Sequence, residues 1–428
     1  MAALFLVSAR QCRWSGQYAV FALLVTGSPA LADPPMGTAG GVPATVQPTV
    51  GKPAADQGLS FKPDAGIVFR SSDFSVTAWG YAERLINPGG PDRWRRVRQG
   101  AEVDLPRFAS NGLRAAFVYE FDLVNSDFFR VASFRRGFEN LFVALQDADD
   151  PGTFRILIGE NTQLLSLDDN LSSGNLPTIN RSLILEEHGS TNTFGTQCGI
   201  QVQKRLSDAI TVQVSTQDGR GSLNTDAPRY TLGNGFAAKL IATPKIAPSG
   251  AHKLSLGLAV DYTRNITDRR FVLATAIALA PIGSVAATGD RFTIEGDAAY
   301  TFPVASHAAT IEGEIMRSTY SASCTDVFGG YAMAQVAVFD ARDTGDLDLF
   351  VRYDFVSVQQ DGIPGRARQQ ALRTGVNYNL PFTGKLASLH LEYARNRIDG
   401  PAAIVTDTRP SDEFRIGLRV SLQRYLRH

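Results

Sequence analysis

Large apolar residues fall at every second position in segments of roughly 9–11 residues, repeated from about Phe74 to the C-terminus, a strand length suited to crossing a bilayer in a barrel. Nowhere does the chain offer the ~18 consecutive apolar residues of a membrane-crossing helix. Leu254, Leu256, Leu258, Val260 and Tyr262 alternate with Ser255, Gly257, Ala259 and Asp261. Leu347, Leu349, Val351, Tyr353 and Phe355 alternate with Asp348, Arg352 and Asp354, and Phe414, Ile416, Leu418, Val420 and Leu422 with Arg415, Gly417, Arg419 and Ser421. Successive strand side chains point to opposite faces, so each segment is oily on one face and polar or charged on the other. Helical periodicity is missing apart from a possible short helix near Asn161–Asp169.

A soluble sandwich would alternate in the same way. Three features favour a membrane barrel. The strands recur at hairpin spacing with some long connections. The oily faces often carry a tyrosine (Tyr119, Tyr262, Tyr300, Tyr353, Tyr378, Tyr393), as an interfacial girdle requires. The polar faces carry clustered charge, which is costly in a packed core and at home in a wet lumen. The predicted fold is therefore all-β, a transmembrane antiparallel barrel; its length gives roughly 14–18 strands, and about sixteen is the choice among the even numbers. A soluble secreted β-rich binding protein and a non-conducting structural barrel remain the alternatives.

Three regions follow. Residues 1–32 read as a signal peptide: Arg10 and Arg13 precede the apolar run Tyr18–Val25, and Ala30-Leu31-Ala32 supplies small residues for cleavage. Residues 33–68 are rich in Pro, Gly and Ala and read as a linker or disordered segment. Residues 69–428 form the barrel, placed in the cell outer membrane with its lipid as partner. The full chain has no net formal charge, and loss of the two arginines leaves the rest slightly acidic, which does not suit a nucleic-acid partner. Only Cys198 and Cys324 follow the leader, too few for a disulfide framework. Five scattered histidines and the absence of CxxC, HExxH, GxSxG and Walker sequences imply neither metal, cofactor nor enzyme. The run Phe271–Ile282, interrupted by Pro281, reads as a strand, a loop or a short core element.

Several stretches resemble the phosphate- and polyphosphate-selective (O/P) porins of Gram-negative outer membranes. Trp94–Gly100 (WRRVRQG) is similar to that family's arginine-bearing second strand, and Phe154–Glu160 (FRILIGE) with the segment to Arg181 to its strand and long loop. Phe194–Val202, Leu347–Asp354 and Arg373–Leu380 resemble later strands. The resemblance spans Phe74–His428 and implies passive diffusion of small hydrophilic or anionic solutes, phosphate or polyphosphate among them, through a homotrimer. The chain departs from the family in two ways. It ends Tyr425-Leu426-Arg427-His428 without a terminal aromatic, and it has seven lysines where phosphate selectivity relies on clustered basic residues.

In a general channel the lining groups replace part of a solute's hydration and set an electrostatic barrier. Arginine suits anions because its planar fork holds oxygens bidentately and stays charged. Alternation puts Arg96 and Arg98 on one face with Gly100, Glu102 and Asp104, and Arg114 on the neighbouring strand. These would contact anions, opposed by Glu120 and Asp122 in a transverse field; equally, the charges could form salt-bridged ladders that stiffen the wall. The segment Asn161–Ser190, with Asp168, Asp169 and Arg181, is too long for a turn and is predicted to fold inward as a constriction loop, the alternative being a mobile surface loop. The basic stretch Phe128–Arg136 reads as an external loop or an anionic-lipid contact.

Overall fold

The computed structural model describes residues 58–422, apart from 63–65, 73, 87–92, 109–111, 124–137, 163, 168–175, 186–195, 219–232, 248–250, 268, 306, 342–344 and 382–385. The signal sequence, the start of the linker, Asp168, Asp169, Phe128–Arg136 and the C-terminal tail lie outside the described residues.

Strands account for most of the described chain. The first are β1 (Gly58–Lys62), β2 (Gly66–Arg70), β3 (Ser75–Ile86), β4 (Arg93–Phe108), β5 (Leu113–Asp122), β6 (Phe138–Asp147) and β7 (Phe154–Thr162). Then come β8 (Thr196–Ser207), β9 (Ile210–Gln217), β10 (Gly235–Ala242), β11 (Lys253–Ile266), β12 (Arg270–Ala274) and β13 (Pro281–Ala286). The chain continues with β14 (Gly289–Val304), β15 (His307–Tyr320), β16 (Thr325–Ala341), β17 (Gly345–Gln360), β18 (Ala367–Asn379), β19 (Ala387–Asp399) and β20 (Ser411–Leu422). β3 to β11 and β14 to β20 pair antiparallel with their sequence neighbours, β11 pairs with β14, and β20 returns to β3 between Ile416↔Ile86 and Leu422↔Gly80. This closes a 16-strand barrel with no free edge.

The four longest connections of the closed sheet, 123–137, 163–195, 218–234 and 267–288, all join strands at the same end of the barrel. The short turns are built from local polar chemistry. At 148–153, Asp147 accepts from the backbone N–H of Asp149 and Asp150, and Asp150 accepts from the Gly152 N–H and from Arg205 at 2.6 Å. The Arg205 guanidinium, with the Gly152 N–H, holds the Asp150 carboxyl below its usual range.

The two faces separate as alternation requires. Leu258 is 57% exposed, Ile315 56% and Ile158 55%, all on the outer surface, while Arg291, Arg352 and Arg373 are fully buried on the inner one. This is the inverse of a soluble sandwich, whose oily faces would stack on one another.

Two details differ from the sequence reading, and a third resolves an alternative it left open. The hairpin β1–β2 begins inside the stretch assigned to the linker, and β2 pairs with β3 from Ile67↔Ala78 to Arg70↔Ser75, just beyond the end of β20. The expected helix near 161–169 is absent among the described residues: Asn161 and Thr162 end β7, and the helical turn is at Leu183–Leu185. That segment is too polar and too short of i, i+4 apolar pairs to sustain a helix. Finally, Phe271–Ile282 spans parts of the hairpin β12–β13 and the turn between them, inside the barrel.

The apolar core lies inside the barrel, at the end with the long connections. Leu165, Ile179, Leu183 and Ile184 from one connection and Phe271, Leu273 and Ile277 from another pack with Ile404, Val405 and inward-facing Val327, Val356, Val358 and Ile398. Each fully buried aliphatic or aromatic side chain of this kind stabilises by about 1.5–3 kcal/mol. That is reason enough for two long connections to fold inward.

Candidate functional site

Register places the inward face of each strand. Along β4 this face carries Arg96, Arg98, Gly100, Glu102 and Asp104, opposite Glu83, Tyr81, Trp79, Thr77 and Ser75 of β3. On β5 it carries Arg114, Ala116, Val118, Glu120 and Asp122, because Arg98 lies opposite Asp122 and Gly100 opposite Glu120. All five candidate pore-lining residues therefore face the lumen. Gly100 is a packing requirement: a Cβ there would collide with the Trp79 indole that lies over it.

Glu120 and Asp122 do not stand across the lumen from the arginines. They sit on the neighbouring strand, and Arg98 binds both, at 3.0 Å and 3.2 Å. Arg114 lies 3.5 Å from Asp104 in the same manner. This is the geometry of a wall ladder. Acidic side chains do occur halfway around the barrel from β4, where β14 and its neighbour β15 point Glu295, Asp297, Glu312 and Glu314 inward. There Lys239 pairs with Asp297 at 2.6 Å and Glu295 at 3.6 Å.

Arg95 was missed by alternation, which would have turned it to lipid. The register shifts between Glu83↔Arg96 and Arg84↔Trp94, so Arg95 is the extra residue of a β-bulge. It reaches Glu83 at 2.7 Å and is almost buried. Glu83 also accepts from Tyr81 at 2.8 Å and Arg419 at 3.1 Å. Among the described residues Arg96 has no salt bridge and no bonded partner for one terminal nitrogen, and it lies within electrostatic reach of Arg95, Arg98 and Arg181. Arg181 comes from the long β7–β8 connection, so two elements far apart in sequence bring four guanidinium groups together.

That connection is held by the wall charges through its backbone. Irregular chain leaves N–H and C=O groups unpaired, and buried ones need partners. Arg419 donates to the carbonyls of Leu176 and Thr178, Asn377 to that of Pro177, and Arg373 to those of Asn180 and Arg181. Acidic residues take the N–H groups: Glu314 accepts from Leu167 and also from the Ser166 hydroxyl, Glu392 from Ile179, and Asp354 from Leu183. The segment is thus infolded, as expected from its length.

A second connection joins it, which the sequence did not reveal as a lumen element. Glu413 accepts from Thr275, Ile277 and Ala278, Asn396 from Ala276, and Gln369 donates to the Ala274 carbonyl. Asn180 bridges the two segments by donating to the carbonyls of Ala276 and Ile277. The available signal was a dozen-residue apolar run in a connection, where an external loop would be polar. The wall bonds named here run to β15 and to β17–β20. Among the described residues no group of three or more His, Cys, Asp or Glu is placed to hold a metal ion.

No family model matches the chain, and no curated protein matches it. Solved structures do. OmpT, an outer membrane protein of Vibrio cholerae, aligns over 83% of this chain and 99% of its own, with a TM-score of 0.53 and 11% identity. The anion-selective porin from Comamonas acidovorans aligns over 82% and 100%, with a TM-score of 0.50 and 14% identity. Salmonella typhi OmpF, in complex with daunomycin, aligns over 85% and 99%, with a TM-score of 0.52 and 11% identity. At such identities the likeness establishes a shared fold, that of outer-membrane β-barrels.

Proposed function

We propose that the chain is an outer-membrane porin: a passive channel for small hydrophilic solutes, favouring anions and carrying out no covalent step. The observation that carries this is the convergence of Arg95, Arg96, Arg98 and Arg181 in a closed barrel whose infolded segments are bonded to β15 and β17–β20. Solutes pass along the β4–β10 wall, and Arg96 and Arg181 meet anions there, because guanidinium groups gathered in a confined aqueous space set a fixed positive potential. Arg98, Arg114, Glu120 and Asp122 shape that potential as wall pairs, and Asp168 and Asp169 belong to the constriction segment. Export through residues 1–32 rests on Arg10 and Arg13, the apolar run Tyr18–Val25 and Ala30-Leu31-Ala32, while assembly as a homotrimer and phosphate or polyphosphate as favoured solutes follow from the O/P porin resemblance.

The test is reconstitution in planar bilayers under a salt gradient. The wild-type reversal potential lies on the anion side, and Arg96→Ala with Arg181→Ala moves it toward the cation side. Unchanged selectivity removes the filter role from both residues. The apolar core inside the barrel favours a second reading, a non-conducting structural barrel, and the absence of any single-channel steps in the same bilayers would establish it.

A further inference from the structure

The outward positions of β18 and β19 are largely apolar along most of their length and turn basic at one end. Arg368, Arg395 and Arg397 are exposed on the outer face, alternating with buried inward residues, and the exposed Arg366 directly precedes β18. Register groups them. Arg368 lies opposite Asp399, Gln370 opposite Arg397, and Leu372 opposite Arg395. Arg368 and Arg397 are thus diagonal neighbours on one face, with Arg395 next on the same strand, all within reach of long side chains. The β17–β18 and β19–β20 connections that border them lie at the same end of the barrel as the four longest connections. In bacterial barrels that end faces outside the cell.

Positive charge is in excess here. The outward acids at this end of β15–β20 are Asp326, Asp399 and Asp412. Asp326 is engaged by Arg317 at 2.9 Å and by Arg366 at 4.0 Å, and Asp412 accepts from the Tyr393 hydroxyl at 2.6 Å. Among the described residues no ion pair joins Arg368, Arg395 or Arg397 to an acid, Asp399 included. An open cleft of about 350 Å³, within the range of small-molecule sites, is lined by Arg366, Arg368 and Asp399 together with Pro364 and Pro401 of the two connections. Toward the middle of the barrel the same outer face is oily. Tyr353 lies opposite Leu372 and Tyr393 opposite Phe414, all four exposed. Aromatic rings of this kind mark the headgroup level of a bilayer, where an outward arginine costs little.

We propose that this outer face holds a phosphorylated membrane lipid, its phosphate at Arg366, Arg368 and Arg397 and its acyl chains along Leu372, Tyr353, Tyr393 and Phe414. Guanidinium forks hold phosphate oxygens bidentately and stay charged. Basic residues at a membrane surface attract anionic headgroups, and the oily face beside them receives the chains. A free inorganic anion would use the arginines and leave that adjoining face without a role. The site is on the outside of the barrel, remote from the lumen arginines Arg96 and Arg181. It goes beyond the channel reading and requires only the membrane placement.

Titration of the folded, detergent-solubilised full chain with diphosphoryl lipid A tests it, the lipid retained per chain being measured after size-exclusion chromatography. Saturable retention is expected, and excess inorganic phosphate does not displace the lipid. Arg368→Gln with Arg397→Gln weakens retention at least about tenfold, because each basic residue at a membrane surface adds to the attraction. Lys245→Gln, an exposed cation at the opposite end of the barrel, leaves it unchanged. These substitutions touch only exposed side chains, so every variant keeps the wild-type shift in gel mobility on heating and the wild-type reversal potential. Equal retention by the double variant, an equal loss with Lys245→Gln, or displacement by phosphate each overturns the proposal. So does a wild-type oligomer that binds no lipid and dissociates on the double substitution, since a second copy of the chain would then cover this face. Retention is read without current, so failure of the lipid site and failure of the channel are distinguishable.

Discussion

Arg96 and Arg98 stand two residues apart on one strand face, yet their surroundings give them opposite roles. Arg98 is held between Glu120 and Asp122, and removing one partner of a buried ion pair leaves the others uncompensated. Arg98→Ala is therefore expected to destabilise the barrel by about 3–5 kcal/mol. Arg96 has an unpartnered nitrogen amid like charges, so Arg96→Ala should leave stability unchanged or raise it. Urea unfolding midpoints of the two variants check the contrast; equal losses would show that Arg96 is as firmly paired as Arg98. The sequence told which face both residues occupy, since period-2 alternation is set by covalent geometry. It could not tell that Glu120 and Asp122 bind Arg98 rather than oppose it, because that depends on the register between β4 and β5. Arg95 escaped for the same reason: a bulge breaks the parity on which the reading depends.

At the scale of elements, the β7–β8 connection is held inside the barrel by backbone bonds to charged wall residues. Arg373 and Arg419 together satisfy four of its carbonyls. Replacing both by methionine keeps side-chain bulk and removes the donors, at a cost of about 1.5–3 kcal/mol for each lost charge-assisted bond. The expected outcome is a released segment, seen as a larger single-channel conductance and as trypsin cleavage at Arg181 from outside intact cells. Wild-type conductance with full protection would show that the apolar contacts of Leu165, Ile179 and Ile184 suffice alone. The inward fold of this connection was legible from its length. That of 267–288 was not, because an apolar run between strands fits a strand, a loop or a core element equally well until its neighbours are known.

For the whole molecule, closure turns a set of two-faced strands into a barrel with a defined inside. The outer surface must then match hydrocarbon. Leu258→Arg, halfway along β11 on that surface, should destabilise the folded state in lipid vesicles by about 2–4 kcal/mol. A cost near zero would mean that this surface does not face lipid, and would take the membrane placement with it. The hairpin β1–β2 adds a feature visible only at this scale: β2 takes the edge of β3 that a longer β20 would occupy, so the first and last strands described meet at the closing seam.

By itself the sequence determined the strand class, the face of each side chain where no bulge intervenes and a strand number within 14–18, because alternation follows from strand geometry and the repeat length from the bilayer. It also placed five of the charged groups on the inner wall. Only the tertiary structure decided which charges pair, which are left over, and what fills the interior. Those outcomes depend on strand register, on one bulge and on segments that meet across the lumen, and no local pattern encodes contacts between residues a hundred or more positions apart.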